Sequence, residues 1–134
     1  MKVVLDTNVL ISALIKAGKP RDLFFRLAAK KAFIISKNIL EEFLEVAEDP
    51  RIEKYVSARE ISFFLNSLGD AAKIVEVKSK FKAVVADSDD DAILRTAYDG
   101  KADYLVSGGN HLLSLGKFRA IRIVTVSEML ELPK

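Results

Sequence analysis

The chain has 134 residues, half of them hydrophobic and none of them cysteine or tryptophan, which gives room for one well-packed core and leads us to expect a single domain over residues 1–134. The absence of cysteine excludes a disulfide framework and thiolate metal ligands, a usage that fits the cytoplasm, and no apolar run approaches the ~20 residues of a membrane span. Lys plus Arg number 21 against 19 Asp plus Glu, a net charge of +2, so composition alone does not announce nucleic-acid binding and what matters is how the signs are arranged in space.

Val3, Val4 and Leu5 form a short β-branched run that reads as a strand buried on both faces. Asp6 stands where that strand must end. Thr7 and Asn8 then offer cap chemistry for a helix carrying Val9, Leu10, Ala13 and Leu14. A carboxylate at the carboxyl end of an interior parallel strand points into the crevice where open α/β sheets bind ligands. The plainer role for Asp6 is a helix cap; the functional one is preferred because Thr7 and Asn8 suffice as caps and more carboxylates follow. The charged residues at the start of the chain argue against a signal peptide.

Gly18 and Pro20 punctuate the chain before a second helix, expected over 21–30 with Leu23, Phe24, Leu27 and Ala28 on one face. Phe25 falls off that face, which contact with a neighbouring helix or a dimer surface would explain. Residues 32–35 read as a second buried strand. Ser36 caps a helix expected over 37–48, with Ile39, Leu40, Phe43, Leu44 and Ala47 at helical period. Residues 60–69 give another amphipathic helix, and the Phe63 and Phe64 pair is assigned to the core rather than to base stacking. A third strand is expected over 72–77. Lys78, Lys80 and Lys82 then alternate with Ser79 and Phe81, so their charges share one side of an extended segment, read as a solvated edge in preference to a phosphate track.

Asp87, Ser88, Asp89, Asp90 and Asp91 open a helix whose stripe is Ile93, Leu94, Ala97 and Tyr98, ended by Gly100. Residues 104–106 make a fourth strand and 121–126 a fifth, with Ser127 starting a short last helix. Strands alternating with helices predict a three-layer α/β/α domain around a five-stranded, mainly parallel sheet.

Helix geometry sorts the acids. At about 100° per residue, Glu42 borders the stripe of Ile39 and Val46, whereas Glu41 lines up with Asn38 and Glu45 on the solvent side. Glu42 is thus either a crevice residue or an ordinary edge residue. Asp90 precedes Ile93 by three and Leu94 by four, which places it above the apolar stripe at the helix start. Ser88 and Asp91 fit a capping box, and acids in a first turn suit the helix dipole. Four acids within five residues repel one another, however, and a bound cation is their natural companion. Mg²⁺ or Mn²⁺ takes oxygen ligands and keeps waters, so a few carboxylates from separate elements suffice. Asp6, Glu42 and Asp90 are such a set.

With these motifs in place, the chain resembles the PIN domain family, the fold of many Mg²⁺- or Mn²⁺-dependent ribonucleases, including toxins of type II toxin–antitoxin pairs. The resemblance is carried by residues 4–9, 36–42, 87–94 and 104–108, in that order and at those separations. It implies metal-holding acids at Asp6, Glu42 and Asp90 with Asp87 adjacent, polar support from Thr7 or Asn8 and from Ser107, an RNA substrate, an antitoxin protein as partner, and a homodimer. One departure stands out. Family members often carry Thr-Gly-Asp after the fourth strand, where this chain has Ser107, Gly108 and Gly109, so the usual fourth carboxylate is missing; Asn110 could substitute as a neutral oxygen ligand. His111 is assigned to a turn beside Leu112 and Leu113 rather than to catalysis. Lys16, Lys19 and Arg21, beside the crevice mouth, are the candidates for RNA phosphate contacts. The rival readings are a PIN-like module that binds RNA or protein without turnover, and a phosphatase forming an aspartyl-phosphate on Asp6, which would want an acid where Asn8 stands.

Overall fold

The computed structural model describes residues 1–84 and 88–132. Strand β1 (Val3–Leu5) lies at the middle of the sheet, fully buried as its sequence requires. It is followed by helices α1 (Thr7–Ile15) and α2 (Lys19–Ala29), strand β2 (Phe33–Ser36), helix α3 (Lys37–Ala47), a 3-10 turn (Pro50–Lys54), helix α4 (Ala58–Ala71) and strand β3 (Ala72–Val75). The second half holds α5 (Ser88–Asp99), β4 (Tyr104–Val106), α6 (Asn110–Leu115), β5 (Lys117–Phe118), β6 (Ile121–Val124) and α7 (Val126–Glu131).

The six strands run in the order β3-β2-β1-β4-β6-β5, all parallel except the β5–β6 pair. From β1 the chain first builds outward through β2 and β3, then returns to the other side of β1 with β4 and β6. The sheet therefore has its switch of direction between β1 and β4, where the register is Val3↔Tyr104, Val4↔Leu105 and Leu5↔Val106. Helices α1, α2, α3, α4 and α7 pack on one another, while α5 packs against β1, β2 and β4. Phe24 is fully buried where these layers meet, its ring 4.1 Å from that of Phe64 and 5.1 Å from that of Phe33. Burying a side chain of that size contributes roughly 1.5–3 kcal/mol. No helix among the described residues is long and apolar enough to cross a membrane.

The α/β/α class and the mainly parallel sheet are as expected, but the described residues form six strands rather than five. The extra strand is β5, two residues turned back antiparallel onto β6 through Arg119, whose φ of +55° lies in the left-handed region. Two residues carry no periodic signal. Strand β3 stops at Val75 instead of Val77, because the backbone beyond it turns to α5, where the Asp99 carboxylate accepts the N–H groups of Lys78 and Ser79. Helix α4 starts two residues earlier than expected, on a capping box in which Ser57 and Glu60 each accept the other's backbone N–H.

Candidate active site

Parallel strands present their carboxyl ends on one edge of the sheet, and a crevice opens there wherever strand order reverses. Asp6 ends β1 and Ser107 ends β4, the two strands that flank the reversal. Their side chains meet: the Ser107 hydroxyl donates to Asp6 Oδ2 at 2.7 Å. Asp6 Oδ1 accepts the N–H of Asn8 at 3.2 Å, so Asp6 is also the N-cap of α1, a role expected of Thr7 or Asn8. The cap reading and the crevice reading are both true of this residue, one oxygen serving each. Ser107 is itself positioned from behind, its hydroxyl accepting the Gly109 N–H at 3.0 Å and its own N–H donating to the Val124 carbonyl.

Asp6 is only 6% exposed, and its hydrogen-bond partners, the Asn8 N–H and the Ser107 hydroxyl, are neutral donors; among the described residues no cationic side chain pairs with it. A buried carboxylate is ordinarily compensated by a positive charge or a metal ion. Its surroundings do the opposite. Asp6 lines a crevice of about 350 Å³ together with Asn8, Glu42, Asp89, Asp90, Ile93, Gly109, Asn110 and His111. Two elements deliver the other acids: Glu42 from the middle of α3, and Asp89 and Asp90 from the first turn of α5.

The positions separate the expected residues clearly. Glu42 lines the crevice, whereas Glu41 is turned to solvent and makes an i,i+4 ion pair with Lys37 at 3.7 Å. Asp90 lines the crevice as its alignment with Ile93 suggested, and Asp87 lies outside the described residues. Asp91, offered above as a capping-box partner of Ser88, is instead buried, its Oδ1 accepting the N–H groups of Ala83 and Val84 at 2.8 and 2.7 Å. Asn8 and Asn110 both face the crevice; Thr7 does not line it but is buried beneath, its hydroxyl without a hydrogen-bond partner among the described residues.

Two further residues line the crevice beyond the expected set. Asp89 lies on its wall, and His111 is not packed into a turn: it lines the crevice from α6, with Nδ1 3.7 Å from Asp90 Oδ2. The turn expected after Gly109 is a helix that starts at Asn110, which swings the next side chain toward α5. Helix α6 spans six residues, too few for a periodic pattern to show.

The three expected phosphate contacts diverge. Lys16 is exposed, and Lys19 Nζ reaches Ser127 Oγ at 3.3 Å, beside a groove lined by Asn8, Ser12, Ser107, Thr125 and Ser127 that shares Asn8 with the crevice. Arg21 turns back onto α1. Its guanidinium donates to the carbonyls of Ala13 and Leu14 at 2.9 Å each, closing the carboxyl end of α1, where helix carbonyls lack partners.

As a metal site, the crevice offers carboxylate and amide oxygens, together with one imidazole, that of His111. Among the described residues no three acidic or imidazole side chains stand close enough to hold an ion directly. That donor set fits a hydrated Mg²⁺ or Mn²⁺, which binds through one or two carboxylates and keeps several waters.

A family model described as PIN domain matches residues 2–111. An uncharacterized protein of Methanocaldococcus jannaschii is 34% identical over 120 residues, which cover 86% of this chain and 75% of that protein.

Proposed function

This chain belongs to the PIN domain family, whose members are in general nucleases using divalent metals, and on that footing we propose that it is a Mg²⁺- or Mn²⁺-dependent endoribonuclease. The observation that carries the reading is Asp6: buried, aligned by the Ser107 hydroxyl, uncompensated by any cationic side chain among the described residues, and facing Glu42, Asp89 and Asp90 across one crevice. Such a crevice repels a phosphodiester by itself, so a cation is needed both to neutralise it and to admit the substrate. Asp6, Glu42 and Asp90 would hold that cation, one or two of them directly and the rest through its waters, with Asp87 as a further donor. When bound, it supplies an activated water and offsets charge on the phosphodiester oxygens during in-line displacement.

The chain's own residues do the positioning. Ser107 fixes the rotamer of Asp6, and the Gly109 N–H fixes Ser107 in turn. Asn8 and Asn110 offer neutral amides to phosphate or water at the mouth. Lys16 and Lys19 supply sequence-blind attraction for the backbone. Biologically we propose the toxin of a toxin–antitoxin pair, acting in the cytoplasm as a homodimer and restrained by an antitoxin protein.

The test is cleavage of RNA with and without Mn²⁺, comparing wild type with Asp6→Asn. Asp6→Asn should stay folded, since Asn8 and Ser107 retain one oxygen acceptor between them, yet lose metal-dependent cleavage. Wild-type rates in the variant would end Asp6's role as a ligand. A second reading is favoured by Gly109, which stands where the family often has its fourth acid: a PIN module that binds RNA with little turnover. Metal-independent binding of RNA without cleavage would select it.

A further inference from the structure

Between β3 and α5 the chain crosses residues 76–84 without regular structure, yet one stripe of α5 clamps it along its length. Asp99 Oδ2 accepts the N–H groups of Lys78 and Ser79 at 2.8 and 3.0 Å and the Ser79 hydroxyl at 2.9 Å. One turn back, Arg95 Nε donates to the Phe81 carbonyl at 2.8 Å. One turn further back, Asp91 accepts the N–H groups of Ala83 and Val84. Residues four apart share a helix face, so this segment runs antiparallel to α5, from its last turn to its first. It arrives at the end of the helix where Asp89 and Asp90 line the crevice.

Exposure alternates along it. Ser79, Phe81 and Ala83 turn inward, while Lys78, Lys80 and Lys82 are exposed, and none of the three joins an ion pair among the described residues. At about 3.3 Å per extended residue the lysines span roughly 13 Å. The eight residues from Asp91 to Asp99 rise ~12 Å along α5, in agreement. Beside the ladder, the Arg119 guanidinium lies over the rings of Phe81, Tyr98 and Phe118, at 5.0, 4.4 and 5.0 Å from their centroids. Held on an aromatic floor, it is a planar donor fork of the kind that suits phosphate.

We propose that Lys78, Lys80, Lys82 and Arg119 form a docking track for the backbone of single-stranded RNA, leading away from the acidic crevice along α5. It rests on the reading of the crevice as an RNA-cleaving site and adds a surface that holds the strand outside it. The clamp from α5 fixes the segment before RNA arrives, so little ordering entropy is lost on binding. Contacts of this type are electrostatic and sequence-blind, and their signature is salt dependence.

The experiment is a salt series of binding by the full chain, in EDTA, to a fluorescein-labelled oligouridine of about twelve nucleotides, read by anisotropy. For single strands each phosphate contact contributes ~0.7 to the slope of log affinity against log salt. The triple variant Lys78→Gln, Lys80→Gln, Lys82→Gln should therefore lower that slope by about 2, and Arg119→Gln by a further ~0.7. Slopes equal to wild type, or no binding by wild type, would each overturn the track. Cleavage assays on the same proteins separate the two ideas: a wild type that binds with the expected slope but cuts no RNA removes the nuclease reading and leaves the track.

Discussion

Glu41 and Glu42 are chemically identical neighbours that the fold treats differently. Glu42 faces the crevice, and Glu41 holds Lys37 at the surface, an exposed pair worth little. Glu42→Gln should cut metal-dependent cleavage by at least about tenfold, in line with the loss of a group that orients a metal site, whereas Glu41→Gln should leave it unchanged. Equal effects in steady-state assays would contradict the placement of α3. Gly109 offers the complementary change. Its φ is −81° with ψ 132°, it is the N-cap of α6 without a side-chain cap, and a Cβ there would meet only Ser107 Oγ, at 3.4 Å. The backbone thus accepts a side chain, and Asp is a favoured N-cap. Gly109→Asp should tighten Mn²⁺ binding by ~10–100-fold and raise cleavage, as restored metal-site partners do. Calorimetric titration checks the affinity, with melting of the apoprotein as the folding control; a stable variant of unchanged affinity would place residue 109 outside the site.

At the scale of elements, the helices and central strands were readable because burial imposes their periods on the sequence. Strand ends and helix stripes favour Asp6 and Asp90 and leave Glu42 open between crevice and edge; the family resemblance then puts all three in one set. What escaped is set by contacts between distant segments. Nothing local to residues 76–84 says that they leave the sheet at Val75; Asp91, Arg95 and Asp99 decide it from α5. Likewise Arg21 looks like a free cation in the sequence, and only the nearness of α1's last carbonyls assigns it. The clamp makes its own prediction. Burial by itself would raise the Asp99 pKa, but the N–H groups of Ser79 and Lys78, the Ser79 hydroxyl and the Lys78 charge hold it below its ordinary value of 3.8. A depressed carboxylate stabilises the fold fully above its unfolded pKa and loses that contribution as pH falls through the folded one. Melting temperature should therefore fall as pH drops below about 4, and Asp99→Asn should make that fall shallower while lowering the melting point at neutral pH. Parallel melting curves for the two proteins between neutral pH and acid would show it; identical slopes would mean that the clamp does not depend on the charge.

In the whole molecule opposite charges collect in two places: Asp6, Glu42, Asp89 and Asp90 in the crevice, and the exposed Lys78, Lys80 and Lys82 along α5. Apolar surface collects as well. Phe64 is buried as expected of the pair, but Phe63 is 63% exposed and Phe25 37%, their rings 6.2 Å apart on the outer side of α4 and α2. Together with Ala13, Leu14 and Phe64 they line an apolar hollow of about 380 Å³ rimmed by Arg21, Arg59 and Glu60. A two-fold interface places the same patch on both partners, so it must be complementary to itself. This one qualifies, because its rim carries both signs around an aromatic centre, and aromatic residues dominate the energetics of such interfaces. The homodimer we propose should therefore close on α2 and α4 and leave the crevice open. Phe63→Asp would bury two carboxylates against apolar rings across the two-fold, a cost of several kcal/mol for each uncompensated charge. Sedimentation velocity at micromolar concentration should show wild type as a dimer and Phe63→Asp as a monomer of similar melting temperature, since an exposed side chain contributes little to its own fold. A wild-type monomer, or a variant that still dimerises, would move the interface elsewhere and leave Phe25 and Phe63 without a partner of this kind.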